Sequence, residues 1–324
     1  MNKILEVQNL RTYFETRNGT VKALDGVDLS LCQGDTLGIV GESGCGKTVL
    51  SLSIMRLIPT PPGRIIDGTI LFNGINLLSL DADEMRKIRG KEISMIFQEP
   101  MNSLNPVLRV GDQLSEVSRL HLGLTKRDAM DHSLEMLHLV GISSPRERLK
   151  DYPHQMSGGM RQRVMIAMAL ACKPKLMLAD EPTTALDVTI QAQILDLMNN
   201  LKSEVGTSII LITHDLGVIR ETAQLTAVMY AGKVVEYAAA DDLFSNPLHP
   251  YTKGLMESTP EFGTIPDRSK RLKVIPGTVP NLYALPVGCS FRDRCYYAMD
   301  ICGEKEPEIK EESHNHQVRC WKFP

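Results

Sequence analysis

Several apolar runs along this chain are continuous, without the polar alternation of a strand that has one wet face. Thr36-Leu37-Gly38-Ile39-Val40, Ile93-Ser94-Met95-Ile96-Phe97, Leu176-Met177-Leu178-Ala179 and Ser208-Ile209-Ile210-Leu211-Ile212-Thr213 are of this kind. Such runs suit strands buried on both faces of a parallel sheet. An earlier strand is predicted over Ile4-Leu5-Glu6-Val7. Helices are predicted over Val49–Met55 and from Ser157-Gly158-Gly159 through Arg161, Arg163, Ile166 and Ala169. Between Gln98 and Pro106 a Pro-bounded loop of turn formers leads into a helical insertion. Asn246-Pro247-Leu248-His249-Pro250-Tyr251-Thr252 reads as a Pro-punctuated helix end. The fold class is therefore α/β.

The strand at Thr36–Val40 runs into Gly41-Glu42-Ser43-Gly44-Cys45-Gly46-Lys47-Thr48, which satisfies G-x-x-x-x-G-K-S/T and is followed by a helix. That strand–loop–helix context is what the motif requires. Glycines let backbone N–H groups converge on phosphates, and the helix start adds its positive end. Lys47 would reach the β- and γ-phosphates and the Thr48 hydroxyl would ligate Mg²⁺. The loop predicts nucleotide binding.

Phosphoryl transfer also needs a carboxylate for the metal and a group that orients water. Asp180 and Glu181, at the carboxyl end of the Leu176 strand, supply them. Gln98 and His214 also follow predicted strands, where ligands bind in open α/β sheets. Phe14, with Tyr13 as the alternative, lies after the first strand and is a candidate platform for adenine; edge packing is the competing role. Ser157-Gly158-Gly159 opens its helix with free N–H groups and a hydroxyl, a second anion site that one nucleotide cannot also occupy.

Taken together, these residues resemble the ATP-binding subunits of ABC transporters. Gly41–Thr48 matches the Walker A loop, Leu176–Asp180 the Walker B strand, and Glu181 the catalytic glutamate. Gln98 matches the Q-loop, Ala185-Leu186-Asp187 the D-loop and His214 the switch histidine. Ser157-Gly158-Gly159 matches the signature core, here flanked by Met156 and Met160. The resemblance implies a P-loop NTPase of the ABC ATPase fold: a mixed sheet with a RecA-like core and a helical subdomain. It implies ATP and Mg²⁺ as cofactors, with Thr48, Gln98 and Asp180 on the metal. It also implies a head-to-tail dimer with an identical or paralogous ATPase subunit, whose γ-phosphate the signature would contact.

Composition narrows the setting. Lys plus Arg is 36 against Asp plus Glu 39, a net charge of −3, so no nucleic-acid footprint is expected. The longest apolar run, Val164 to Cys172, is nine residues, against roughly 18–20 for a membrane span. The start of the chain goes straight into a strand without signal-peptide shape. The expectation is a cytosolic protein, peripheral on the cytoplasmic face of a prokaryotic inner membrane, with other polypeptides supplying the membrane path.

The wording of the Gln98–Pro106 loop, of Gly158–Ala167 and of Asn246–Thr252 resembles the oligopeptide, dipeptide and nickel importer branch. That implies two integral-membrane permease subunits and, indirectly, an extracytoplasmic solute-binding protein. It implies di- and oligopeptides as cargo, with nickel or another small solute as the alternative. Two other classes share parts of the pattern. A soluble ABC ATPase would carry a second ATPase module, a coiled coil or a basic face; a P-loop kinase would not need Ser157-Gly158-Gly159.

Four of the seven cysteines fall in the last 36 residues: Cys289, Cys295, Cys302 and Cys320. Clustered thiols in a cytosolic protein point to metal, zinc or iron–sulfur, with unligated thiols as the remaining reading. The spacings C-x5-C, C-x6-C and C-x17-C lack the short knuckle that zinc favours. The segment also resembles the C-terminal extension of this importer branch, some members of which hold a 4Fe–4S cluster. Arg292, Arg294 and Arg319 would offset the cluster's negative charge. His314 and His316 are ligands in the zinc case and otherwise surface residues. The expected organisation is an ATP-binding domain over 1–255, its helical subdomain at roughly 99–172, and a small Cys-rich extension over 256–324. A bridge containing Pro260, Pro266, Pro276, Pro280 and Pro286 would make the extension a separate unit outside the sheet.

Overall fold

A computed structural model describes residues 2–98, 103–183, 187–259, 273–313 and 315–323. The chain divides into two compact units: Ser79–Ile210, with the first two residues, and Lys3–Leu78 with Leu211–Pro324.

In the second unit, β1 (Lys3–Thr16) and β2 (Gly19–Cys32) form a long antiparallel hairpin. β1 also pairs with β4 (Gly63–Phe72), which pairs with the two-residue β5 (Ile75–Asn76). The first strand is thus fourteen residues long, and Tyr13 and Phe14 lie within it instead of after it. Register shifts between Val7 and Leu10 interrupt its pairing with β2. They also break the period-2 pattern that would have revealed its length.

β3 (Thr36–Val40), buried along its whole length, pairs in parallel with β9 (Leu225–Tyr230). β9 pairs antiparallel with β10 (Lys233–Ala239). Beyond β10 comes an expectation that fails. β11 (Lys310–Ser313) and β12 (His316–Val318) form a hairpin, and β12 pairs with β10 at Glu236↔Val318 and Tyr237↔Gln317. The end of the extension therefore belongs to the sheet. The reason is that β10 would otherwise leave its ladder groups unpaired at an edge.

Glu236 anchors this junction. Its carboxylate is fully buried and accepts from the backbone N–H groups of Leu248 (2.7 Å) and His249 (2.9 Å). Nε2 of His316 lies 2.8 Å from the same carboxylate. His316 is only 2% exposed, so the surface position expected for it is wrong: a buried carboxylate needs this partner. His314 lies outside the described residues.

The Asn246–Thr252 segment links the helix Ala240–Ser245 to the helix Pro250–Glu257 and includes the latter's first residues. His249 caps the second of them, Pro250–Glu257, by accepting from Tyr251 N–H through Nδ1 at 3.0 Å. Burial holds His249 down, from an ordinary 6.5 to about 4. The native state therefore binds fewer protons than the unfolded chain between these values, and stability falls as pH drops from 6.5 toward 4. The loss reaches roughly 3 kcal/mol by linkage. His249→Asn keeps an acceptor for Tyr251 N–H at any pH, so its melting temperature should be flatter over this range. Thermal melts at stepped pH check this, and an unchanged slope in the variant would rule His249 out as the cause.

In the first unit, β6 (Ile93–Ile96) pairs in parallel with β7 (Leu176–Asp180), which is buried throughout. Helices Val110–Leu122, Lys126–Leu139 and Gly158–Leu170 pack on one another. They form the expected helical insertion, with Val164, Ile166 and Ala167 fully buried on the last of them. β8 (Ser208–Ile212), also buried, contains the point where the two units divide.

Candidate nucleotide site

β3 delivers the chain to Gly41, whose φ is +152°. A Cβ there would lie 2.2 Å from the carbonyl oxygen of Met229 on β9, so only glycine fits. Gly46 is equally constrained: φ is +107° and a Cβ would come within 2.4 Å of the Ala23 oxygen. Between them, Ser43 and Gly44 are exposed, and a Cβ on Gly44 would meet nothing within 4 Å. The loop is thus packed at both roots and open at its tip. Cys45 is buried, and burial pushes its thiol up, so it serves as packing.

The helix Lys47–Ile54 starts from Gly46. Lys47 donates from Nζ to the carbonyls of Gly41 (2.7 Å) and Glu42 (3.1 Å), and Thr48 stands in the first turn. On β1, Tyr13 is committed: its hydroxyl donates to Asp25 at 2.7 Å. Phe14 packs close to Gly63, where a Cβ would come within 2.7 Å of its ring. His214 is exposed just after β8, while the next residue, Asp215, caps the following helix by accepting from Gly217 N–H at 2.8 Å.

In the first unit, Asp180 ends β7 with its side chain buried. Glu181 follows with φ +47°, a left-handed conformation that costs about 1–2 kcal/mol for a residue with a Cβ. The kink turns its carboxylate toward Gln98, whose Nε2 donates to Oε2 at 3.0 Å. Two residues 83 positions apart, each read from the sequence as a strand-end candidate for ATP chemistry, are thus in direct contact.

Ser157 caps the helix Gly158–Leu170, its Oγ accepting from Met160 N–H at 3.3 Å. The hydroxyl proton remains available to an anion. A Cβ on Gly159 would lie 3.0 Å from Ile190, on the helix Val188–Val205 that Asp187 caps. The glycine there allows the two helices to pack closely. Ala185 and Leu186 lie outside the described residues.

In the extension, all four cysteines are free thiols. Cys289 N–H donates to the Cys302 carbonyl at 2.8 Å. Burial, with the neighbouring Cys302, Cys320 and Cys295, raises the Cys289 thiol to about 11. Among the described residues, however, no group of three or more His, Cys, Asp and Glu side chains is arranged to hold a metal ion.

The three arginines of this segment are held by hydrogen bonds. Arg292 donates to the Val287 and Gly303 carbonyls, and Arg319 to those of Val234 and Pro307. Arg294, 5% exposed, forms a two-pronged ion pair with Glu42 in the phosphate loop, at 2.6 and 2.9 Å. Glu42 N–H donates to the hydroxyl of Tyr251 at 2.8 Å. Sequence reading missed both contacts to Glu42, and no local signal carries them.

Several known proteins and two protein families are similar to this chain. The family described as ABC transporter matches residues 24–184. The family described as oligopeptide/dipeptide transporter, C-terminal region, matches residues 235–302. The chain is 51% identical over 319 residues to the probable peptide ABC transporter ATP-binding protein y4tR of Sinorhizobium fredii, covering 98% of this chain and 95% of that protein. It is 52% identical over 321 residues to the dipeptide transport ATP-binding protein DppD of Bacillus subtilis, covering 99% and 95%. Among solved structures, the dimeric post-hydrolysis state of the ATP-binding cassette MJ0796 bound to ADP and Pi superimposes with a TM-score of 0.66. It is 28% identical and covers 73% of this chain and 98% of that one.

Proposed function

From the premise that this chain belongs to the ABC transporter family of ATP-binding proteins, we propose that it is the ATPase subunit of an importer for di- and oligopeptides. The observation that carries the chemistry is the Gln98–Glu181 contact at the end of β7, in a chain that also holds a complete phosphate loop. The cargo class rests on the peptide-transport relatives and on the C-terminal match over residues 235–302.

In this reading residues 1–255 carry ATP turnover. The backbone N–H groups of Gly41–Thr48 hold the phosphates and Lys47 neutralises them, while Phe14 is assigned to the base. Mg²⁺ is assigned to Thr48, Gln98 and Asp180, and when bound it stabilises charge on the transferring phosphoryl group. Glu181 accepts a proton from the attacking water, with Gln98 orienting the carboxylate and His214 facing the γ-phosphate. Ser157-Gly158-Gly159 offers N–H groups and a hydroxyl to the γ-phosphate bound by a second ATPase subunit, identical or paralogous. ATP binding then closes the pair and hydrolysis releases it. Two permease subunits supply the membrane path, and a solute-binding protein delivers cargo to them. No helix among the described residues is long and apolar enough to cross a membrane, which suits a peripheral subunit on the cytoplasmic face.

The finer assignment for residues 256–324 is a 4Fe–4S cluster on Cys289, Cys295, Cys302 and Cys320, with Zn²⁺ as the other occupant. Four free thiols within this one segment support it. Their present arrangement does not form a metal cage, so the cage would have to close around the metal. One preparation tests the whole reading: the chain purified without oxygen from a membrane extract. It should carry two multi-span membrane proteins, support ATP-dependent peptide uptake in vesicles, and contain iron with acid-labile sulfide. An active ATPase without membrane partners would overturn the transport assignment, and a metal-free active complex would overturn the cluster.

A further inference from the structure

We infer that Arg294, in the C-terminal region, positions the phosphate-binding loop: its guanidinium holds Glu42, and Glu42 holds a carbonyl that seats Lys47. The inference rests on the ATPase reading above and adds to it a residue outside the nucleotide motifs.

Arg294 is fixed on every side before it reaches the loop. Its Nε donates to the Pro276 carbonyl at 2.8 Å, and its guanidinium carbon lies 5.8 Å from the Tyr230 ring centre and 5.9 Å from that of Phe291. A Cβ on Gly277 would lie in van der Waals contact with its stem, 3.4 Å from Cγ. The remaining donors, Nη1 and Nη2, face the two oxygens of Glu42 in the fork geometry that a carboxylate matches. A planar fork held this way accepts Glu42 in one orientation only.

Glu42 is in turn held at three points. Its carboxylate meets Arg294, its N–H donates to Tyr251, and its carbonyl accepts from Lys47. Tyr251 packs against Tyr230 and Phe291, the two rings that also flank Arg294. One aromatic cluster therefore supports both anchors of the same residue. Because the next two loop residues are exposed, Glu42 is where the rigid root of the loop ends. The direction of its peptide unit decides where the Lys47 ammonium rests. Among the described residues Arg294 donates to Pro276, Glu42 and Tyr230, so it acts on the loop through Glu42 as a positioning residue.

The test measures ATP affinity by titration calorimetry, and turnover by phosphate release, for Arg294→Met, Arg294→Lys, Glu42→Gln and the Arg294→Met/Glu42→Gln pair in the full chain. Arg294→Met and Glu42→Gln should each weaken ATP binding about tenfold, the scale of a charged hydrogen-bonded pair. Turnover at saturating ATP should fall less, and the double variant should be no worse than the worse single one. Arg294→Lys keeps the charge without the fork and should fall between wild type and Arg294→Met. A role confined to stability would lower the melting temperature and leave the affinity of the folded protein alone. Should Arg294→Met fail to fold, Glu42→Gln carries the test, since it preserves shape and one acceptor. Wild-type ATP affinity in folded Arg294→Met or Glu42→Gln would overturn the inference, as would losses that multiply in the double variant. Absence of ATP binding by the wild type would instead overturn the ATPase reading.

Discussion

Glu181→Gln should lower ATP turnover by about 10²–10⁴-fold, the usual contribution of a positioned general base, while leaving ATP affinity close to wild type. The substitution preserves shape, and the new side-chain carbonyl can still accept from Gln98 Nε2, which lies 3.0 Å from Glu181 Oε2. The left-handed backbone at residue 181 is set by the chain around it and is tolerated by glutamine as well as by glutamate. Only the capacity to take a proton from water is lost. With hydrolysis blocked, ATP should hold two subunits together long enough to elute as a dimer in size-exclusion chromatography, whereas the wild type returns to monomer as ATP is consumed. Hydrolysis at the wild-type rate would show that another group acts as the base.

Lys47→Ala removes the ammonium that sits on the carbonyls of Gly41 and Glu42, at the root of the phosphate loop. A charge-assisted hydrogen bond to phosphate is worth about 1.5–3 kcal/mol. Loss of such bonds to the β- and γ-phosphates should weaken ATP binding by about two orders of magnitude or more. Lys47 is buried, but alanine is a good helix former and the helix start at Gly46 does not depend on the side chain. The variant should therefore fold, and its unfolding curve should no longer shift when ATP is added. A retained ATP-dependent shift would sink the assignment of Lys47. The two substitutions separate by phenotype: Lys47→Ala fails at binding, Glu181→Gln after it.

Much of this site was legible because its chemistry is written in short words. The phosphate loop, the Asp180–Glu181 pair and Ser157-Gly158-Gly159 each occupy consecutive positions at the end of an element that its own apolar run announces. The strand bounds at Thr36–Val40 and Leu176–Asp180 came out as read, since each strand is buried along its whole length and carries a continuous apolar run. What was not legible depends on distance along the chain. β1 was read as four residues because shifts in register hide its alternation beyond Val7. The hairpin of β11 and β12 has one strand with every residue exposed, so it carries no hydrophobic signal. Its docking depends on Glu236 finding His316 eighty residues later. Arg294 was noticed, but for its charge near cysteines; nothing local says that its partner is Glu42.

That last separation has a bearing on biosynthesis. Arg294 and Glu42 are 252 positions apart, and chains emerge from the ribosome at roughly 5–20 residues per second. The nascent phosphate loop therefore waits on the order of ten to fifty seconds for its final anchor, while Ser79–Ile210, a contiguous unit, can collapse first. Until the last segment arrives, the loop lacks the contact that orients its lysine. On the tenfold scale expected of Arg294→Met, a chain still lacking this segment would hold ATP more weakly than one in which it has docked.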